Sequence, residues 1–209
     1  MIERTAFGLG RNDEEPNIAL AEELCRNRDL AGIAEISAGL DSRETRLAND
    51  CIKVLYEIAA RDPELVTDDT EKFLSLLRSP NNRLVWGAMT ALTFVTRLRP
   101  QVVFGSLDSV LEAFEAGSVI ARDNAVSVLA ELARADSRYA DAVFPILLSH
   151  LASCRSKEVP QHAERVSVCI NQKNFRPFAE VLENRKPDLS PAQAKRVERM
   201  TKKVSQGLV

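Results

Sequence analysis

The stretch Ala121-Arg122-Asp123-Asn124-Ala125-Val126-Ser127-Val128-Leu129-Ala130-Glu131-Leu132 decides the fold. Ala125, Val128, Leu129 and Leu132 fall at i, i+3, i+4 and i+7, which is one face of an α-helix. Thirty-seven residues earlier the same spacing returns as Ala88, Ala91, Leu92 and Val95, and thirty-seven before that as Cys51, Val54, Leu55 and Ile58. Fixed-period recurrence marks a repeat architecture, in which one unit cannot bury its apolar face without a neighbour.

Between these segments lies a second apolar set with the same return: Phe73, Leu74 and Leu77, then Val110, Leu111 and Phe114, then Leu147, Leu148 and Leu151. Two longer families, Ile18, Leu55, Leu92, Leu129, Val166 and Ala21, Ile58, Val95, Leu132, Cys169, carry the register through most of the chain. Each period therefore predicts two helices, A and B. Asp62-Pro63 and Arg99-Pro100 end two A helices, because proline disfavours helical geometry in the residue before it. Arg78-Ser79-Pro80-Asn81-Asn82 and Ala116-Gly117-Ser118 are turn sequences short enough to make neighbours antiparallel. No strand-like alternation bounded by turn signals occurs. In the last unit Asn184 and Asp188 stand where Leu147 and Leu151 lead, the polar substitution expected of a terminal unit.

Residues 121–132 resemble the first helix of a HEAT repeat, V-R-x-x-A-x-x-A-L-G-x-L. Leu84-Val85-Trp86-Gly87-Ala88-Met89-Thr90-Ala91-Leu92 keeps the A-x-x-A-L part with Val85 in place of arginine, and Leu47 to Ile58 is a looser copy. The resemblance covers roughly residues 18–183. It implies an all-α, right-handed α-α superhelix (solenoid) of about five HEAT-like hairpins with a 37-residue period. The expected organisation is an acidic, flexible N-terminal segment over 1–16, and a repeat array over 17–188 with units near 17–40, 41–79, 80–118, 119–156 and 157–188. A basic C-terminal helix or tail follows over 189–209. HEAT-like proteins mostly act as scaffolds or adaptors, so the resemblance implies a job in binding proteins.

Composition narrows the function further. With 28 basic and 30 acidic residues the net charge is -2, against the basic excess of a protein that tracks phosphates. The predicted outward row of the B helices (Glu35, Ala38, Asp41; Lys72, Ser75, Arg78; Ser109, Glu112, Glu115; Ile146, Ser149, Ala152) has mixed sign and is no basic groove. A nucleic-acid-binding or DNA-alkylation-glycosylase-like HEAT protein is the alternative, and this balance disfavours it. No apolar run approaches membrane-spanning length, and the start of the chain lacks the pattern of a signal peptide. Cys25, Cys51, Cys154 and Cys169 form no CxxC pair, and none reads as a partner to His150 or His162 at metal-ligand spacing. The sequence thus predicts a cytoplasmic, non-enzymatic protein with reduced thiols, no catalytic or metal-ligating residues and no cofactor.

Two surfaces stand out. Trp86, the only tryptophan, and Phe94 lie on the outer side of an A helix where neighbouring units carry Asn49, Asp123, Glu57 and Glu131. They are the candidate contact for a protein partner or a second copy of the chain. Ser190-Pro191-Ala192-Gln193 reads as a capping box opening a helix with Lys195, Arg196, Arg199, Lys202 and Lys203. That helix could contact an acidic partner, RNA or a membrane surface, or simply dock on the last repeat with its cations in water.

Overall fold

The computed structural model describes residues 1–207, and residues 208 and 209 of the expected C-terminal segment lie outside the described part. The apolar faces form helices α1 (Glu15–Asn27), α2 (Leu30–Gly39), α3 (Thr45–Arg61), α4 (Thr70–Leu76), α5 (Asn82–Val95) and α6 (Pro100–Gly105). They continue as α7 (Leu107–Ala116), α8 (Val119–Ala135), α9 (Ser137–Ser153), α10 (Val159–Val166), α11 (Phe175–Arg185) and α12 (Pro191–Gly207). There is no strand among the described residues. Caps set several of the starts. Asn81 Oδ1 accepts from the Arg83 amide at 3.0 Å ahead of α5, and Asp136 accepts from the Arg138 amide at 2.8 Å ahead of α9. Ser190 and Gln193 exchange the two bonds of a capping box at the start of α12.

The chain divides into two compact units, residues 1–125 and residue 126 onward. In the first, α1 packs on α3 and α3 on α5, while α2 and α4 back them. Cys51, Val54, Leu55, Ile58, Ala88, Ala91, Leu92, Val95 and Ala125 are wholly inaccessible to solvent, so the face read from the sequence is the core. Phe73, Leu74, Leu77, Val110 and Phe114 close it from the other side. In the second unit Val128, Leu129, Leu132, Leu147 and Leu151 are equally buried, α9 meets α10 and α11, and α12 lies on α10 and α11.

Polar side chains link elements far apart in sequence. Asn81 bonds Asn49 at 2.8 Å and Asn124 bonds Thr90 at 2.7 Å in the first unit, and Arg165 bonds Ser127 at 2.6 Å in the second. Such pairs recur at separations of 31 to 38 residues, the spacing at which one helix meets its counterpart further along.

The N-terminal segment differs from the sequence expectation. Residues 1–16 are not a free arm: Ile2–Arg4 forms a 3-10 turn, and Thr5 and Ala6 are buried. The Ala6 amide donates to Oδ1 of the fully buried Asn17 at 2.9 Å, the Phe7 amide to Asp50 at 2.6 Å, and Arg4 pairs with Glu23. The segment is held by hydrogen bonds to side chains of α1 and α3, which leave no apolar period to read. At the other end α11 buries Phe178 and Leu182 and stops at Arg185, just ahead of Lys186-Pro187, and Asn184 and Asp188 are exposed.

Candidate partner-binding site

Trp86 owes its setting to Gly87. A Cβ at Gly87 would lie 2.6 Å from Ile52 Cγ1, so the missing side chain lets α5 approach α3. That approach brings the Trp86 ring beside Tyr56 of α3, with centroids 5.8 Å apart and planes tilted by 46°. Arg83, one turn before Trp86, lays its guanidinium 4.5 Å from the indole centroid. Tyr56 is buried, whereas Trp86 keeps part of its surface in solvent.

A charged network frames the rings. Lys53 sits 4.8 Å from the Tyr56 centroid and pairs with Glu57 at 2.7 Å and Glu14 at 3.1 Å; Glu14 also pairs with Arg83. Arg61 extends it to Glu57 at 2.5 Å and Glu22 at 3.1 Å. Burial pulls the Lys53 ammonium toward its neutral form, but bonds to Glu57, Tyr56 and Glu14 outweigh it and raise its pKa. Burial likewise pushes the Glu14 and Glu57 carboxyls up, and their cationic partners pull both below the usual carboxylate range. Tyr56 is raised by burial.

Phe94, two turns further along α5, is also half-buried. The surface is thus amphipathic, two partly exposed aromatics with a cation stacked on one, rather than a bare apolar patch. The large apolar side chains most open to water are elsewhere: Leu9, Leu30, Val119, Ile120 and Val168. The sequence singles out Trp86 and Phe94 but not Tyr56 and Arg83, since the three-dimensional cluster needs both the α3–α5 contact and the local turn.

Lys195, Arg196, Arg199, Lys202 and Lys203 all lie on exposed positions of α12, while Val197 anchors the helix with 2% exposure. Arg196 is committed to Glu164 of α10 through two bonds of 2.7 and 2.6 Å. Arg196, Arg199 and Lys203 rim an open cleft of about 550 Å³ whose apolar lining includes Ile170, Met200 and Val204.

In the B-helix row Lys72 pairs with Asp41 at 3.0 Å and Arg78 with Glu112 at 3.0 Å, so opposite charges neutralise one another within the first unit. One arrangement runs against the sequence reading. His150, Cys154 and His162 are gathered so that a ligand atom of each lies within 4.8 Å of the others. The signal was present, since His150 and Cys154 are four residues apart, one helical turn.

Several solved structures are similar to this chain. A designed armadillo repeat protein, YIII(Dq.V1)4CPAF, in complex with the peptide (KR)4 superposes with a TM-score of 0.70 at 13% identity, over 90% of this chain and 91% of that one. An engineered protein from a structural genomics consortium matches with a TM-score of 0.68 at 16% identity, over 92% and 90%. Kap121p bound to Ste12p matches with a TM-score of 0.65 at 16% identity, over 90% of this chain and 21% of that chain. These likenesses establish an all-α, armadillo/HEAT-like helical-repeat fold. No family model and no curated protein matches the sequence.

Proposed function

We propose that this chain is a non-enzymatic, cytoplasmic protein-binding scaffold or adaptor, with the A-helix surface around Trp86 and Phe94 as its principal contact. The observation that carries this reading is the Trp86–Tyr56–Arg83 cluster, because tryptophan, tyrosine and arginine are the residues that dominate binding energy at protein interfaces. Tyr56 and the ion pairs hold Trp86 in place before any partner arrives, which lowers the ordering cost of association. The designed armadillo protein is bound to a peptide and Kap121p to Ste12p, so the fold is at home with polypeptide ligands. The neutralised B-helix row supports a protein over a nucleic acid as partner.

We read the repeat array as five units near 17–40, 41–79, 80–118, 119–156 and 157–188, with α12 closing the last. Lys195, Arg199, Lys202 and Lys203 offer a second, weaker contact for an acidic segment.

The test is affinity capture with the purified protein beside a Trp86→Ala, Phe94→Ser double variant. A stoichiometric protein retained by the wild type and lost by the folded variant supports the reading. Retained nucleic acid that elutes with salt, or a protein retained equally by the variant, overturns it. As Trp86 is the only tryptophan, its emission reports contact directly, and sedimentation of the two proteins tests self-association through the same face.

A further inference from the structure

We propose that His150, Cys154 and His162 form a zinc site, with water completing a tetrahedral set. His150 sits in the last turn of α9, Cys154 is the residue that ends that helix, and His162 stands in the first turn of α10. The three therefore come from the two sides of one short connection. The facing nitrogens, His150 Nε2 and His162 Nδ1, are 2.9 Å apart, and all three ligand atoms fit within 4.8 Å. With zinc–nitrogen and zinc–sulfur bonds of about 2.0 and 2.3 Å, tetrahedral ligands stand about 3.3–3.6 Å apart. Side-chain rotation alone spans the difference: the two nitrogens open slightly and the sulfur closes by an ångström or so.

The surroundings suit this ion. His162 is fully buried, while His150 and Cys154 are half-buried, so the site has a dry floor and one side open to a water ligand. Two imidazoles and a thiolate form a borderline-soft donor set that favours zinc over calcium or magnesium, which take oxygen ligands. Arg185 donates to the carbonyls of Leu151 and Cys154, both at 2.7 Å, and fixes the end of α9 where two of the ligands lie. On binding, the Cys154 S–H bond is replaced by S–Zn with release of one proton. Both imidazoles bind in the neutral form, and the one that donates across the 2.9 Å contact moves its proton to its nitrogen away from the metal.

Sequence register shows why the site occurs once. At the 37-residue spacing His162 occupies the position of Cys51, Ala88 and Ala125, all wholly buried, and His150 that of Gly39, Leu76 and Ala113. Elsewhere the His162 position holds a small residue, and the His150 position holds glycine, leucine or alanine. A histidine pair placed there, with a cysteine one turn on, departs from what packing alone selects.

The purified full chain, freed of metal, is titrated with Co²⁺ as a spectroscopic probe. The expected result is one Co²⁺ per chain with intense visible bands of a tetrahedral site and a near-ultraviolet thiolate-to-cobalt band, both removed by equimolar Zn²⁺. Cys154→Ser should abolish the thiolate band, and His150→Gln, with its far-ultraviolet circular dichroism shown to be unchanged, should weaken binding at least tenfold. Cys25→Ser should change nothing, and Zn²⁺ should raise the Tm of the wild type by several degrees. Weak octahedral bands only, or a thiolate band that survives Cys154→Ser, would overturn the assignment.

Discussion

In the first unit the end of α2 meets α3 at Gly39 and Cys51, so closely that a Cβ on Gly39 would lie 2.5 Å from Cys51 Sγ. Three 37-residue spacings later, in the second unit, the end of α9 meets α10 at His150 and His162, whose ring nitrogens are 2.9 Å apart. One contact is a dry joint between small groups, with the Cys51 thiol pushed up by burial to about 12 and hence inert. The other places two imidazoles and a nearby thiol where the end of one helix meets the next. A repeat architecture fixes where backbones approach, while the residue at the contact decides whether the joint only packs or can also bind.

The helix ends beside these joints differ in the same sense. The last carbonyls of α2 are met by the following amides, with Leu40 N reaching Ser37 O at 3.2 Å and Asp41 N reaching Ala38 O at 3.2 Å. At the end of α9 the Leu151 and Cys154 carbonyls accept instead from one buried guanidinium, that of Arg185, with 8% exposure. Arg185→Met should therefore cost about 3 kcal/mol, since two carbonyls would lose a charged donor. Urea denaturation measures it, and a loss under about 0.5 kcal/mol would mean that water caps this helix as well.

At the first joint the expected effect is smaller and reversible. Gly39→Ala should destabilise the protein by about 1–2 kcal/mol through overpacking against Cys51. Adding Cys51→Ala should recover most of that loss, since the resulting alanine pair reproduces Ala113 and Ala125, the pair found at this spacing further along. If the double variant is no better than the single one, the loss does not come from crowding against Cys51.

These joints also show what a sequence of this kind makes legible. Cys51, Ala88 and Ala125 are small residues at a helical period, so both the helix and its buried face can be read from spacing. His162 falls on the same period, but a polar residue there reads as a defect in the pattern until the structure shows His150 opposite it. The N-terminal segment was illegible for a related reason. Its anchors are Asn17 and Asp50, single polar groups that accept backbone amides and have no periodic signature. Trp86 could be placed outward from helix geometry, but its partners could not be named. Tyr56 reaches it through the close α3–α5 approach at Gly87, and Arg83 through a side-chain conformation.

The surface around Trp86 is tied to the core by the cap of α5. Asn81→Ala removes the bond to the Arg83 amide and the 2.8 Å bond to Asn49, and should cost about 1 kcal/mol. Hydrogen exchange should rise in the first turn of α5 and leave α9 and α10 unchanged. Faster exchange in α10 as well would mean that loss of the cap is felt beyond the first unit.

The smallest expected effect concerns pH, and it falls on the ion-pair network around Trp86. The Glu14 and Glu57 carboxyls are held below their ordinary value of 4.5 in the folded chain by Lys53, Arg83 and Arg61. A carboxylate depressed in this way contributes stability that is fully present above its unfolded pKa, and that contribution disappears as pH falls through the lower folded value. Acidification below about pH 4.5 should therefore loosen the network, free Arg83 from Glu14 and shift the emission of Trp86, the only tryptophan, before the chain unfolds. A Glu14→Gln, Glu57→Gln variant should flatten that step between pH 5 and about 3, because an amide does not titrate there. Partial exposure of Glu14 in water keeps the energy small, so fluorescence rather than Tm is the sensitive readout. An emission step that persists unchanged in the double variant would mean that Trp86 senses global acid unfolding, and that its platform is held by the Tyr56 contact alone.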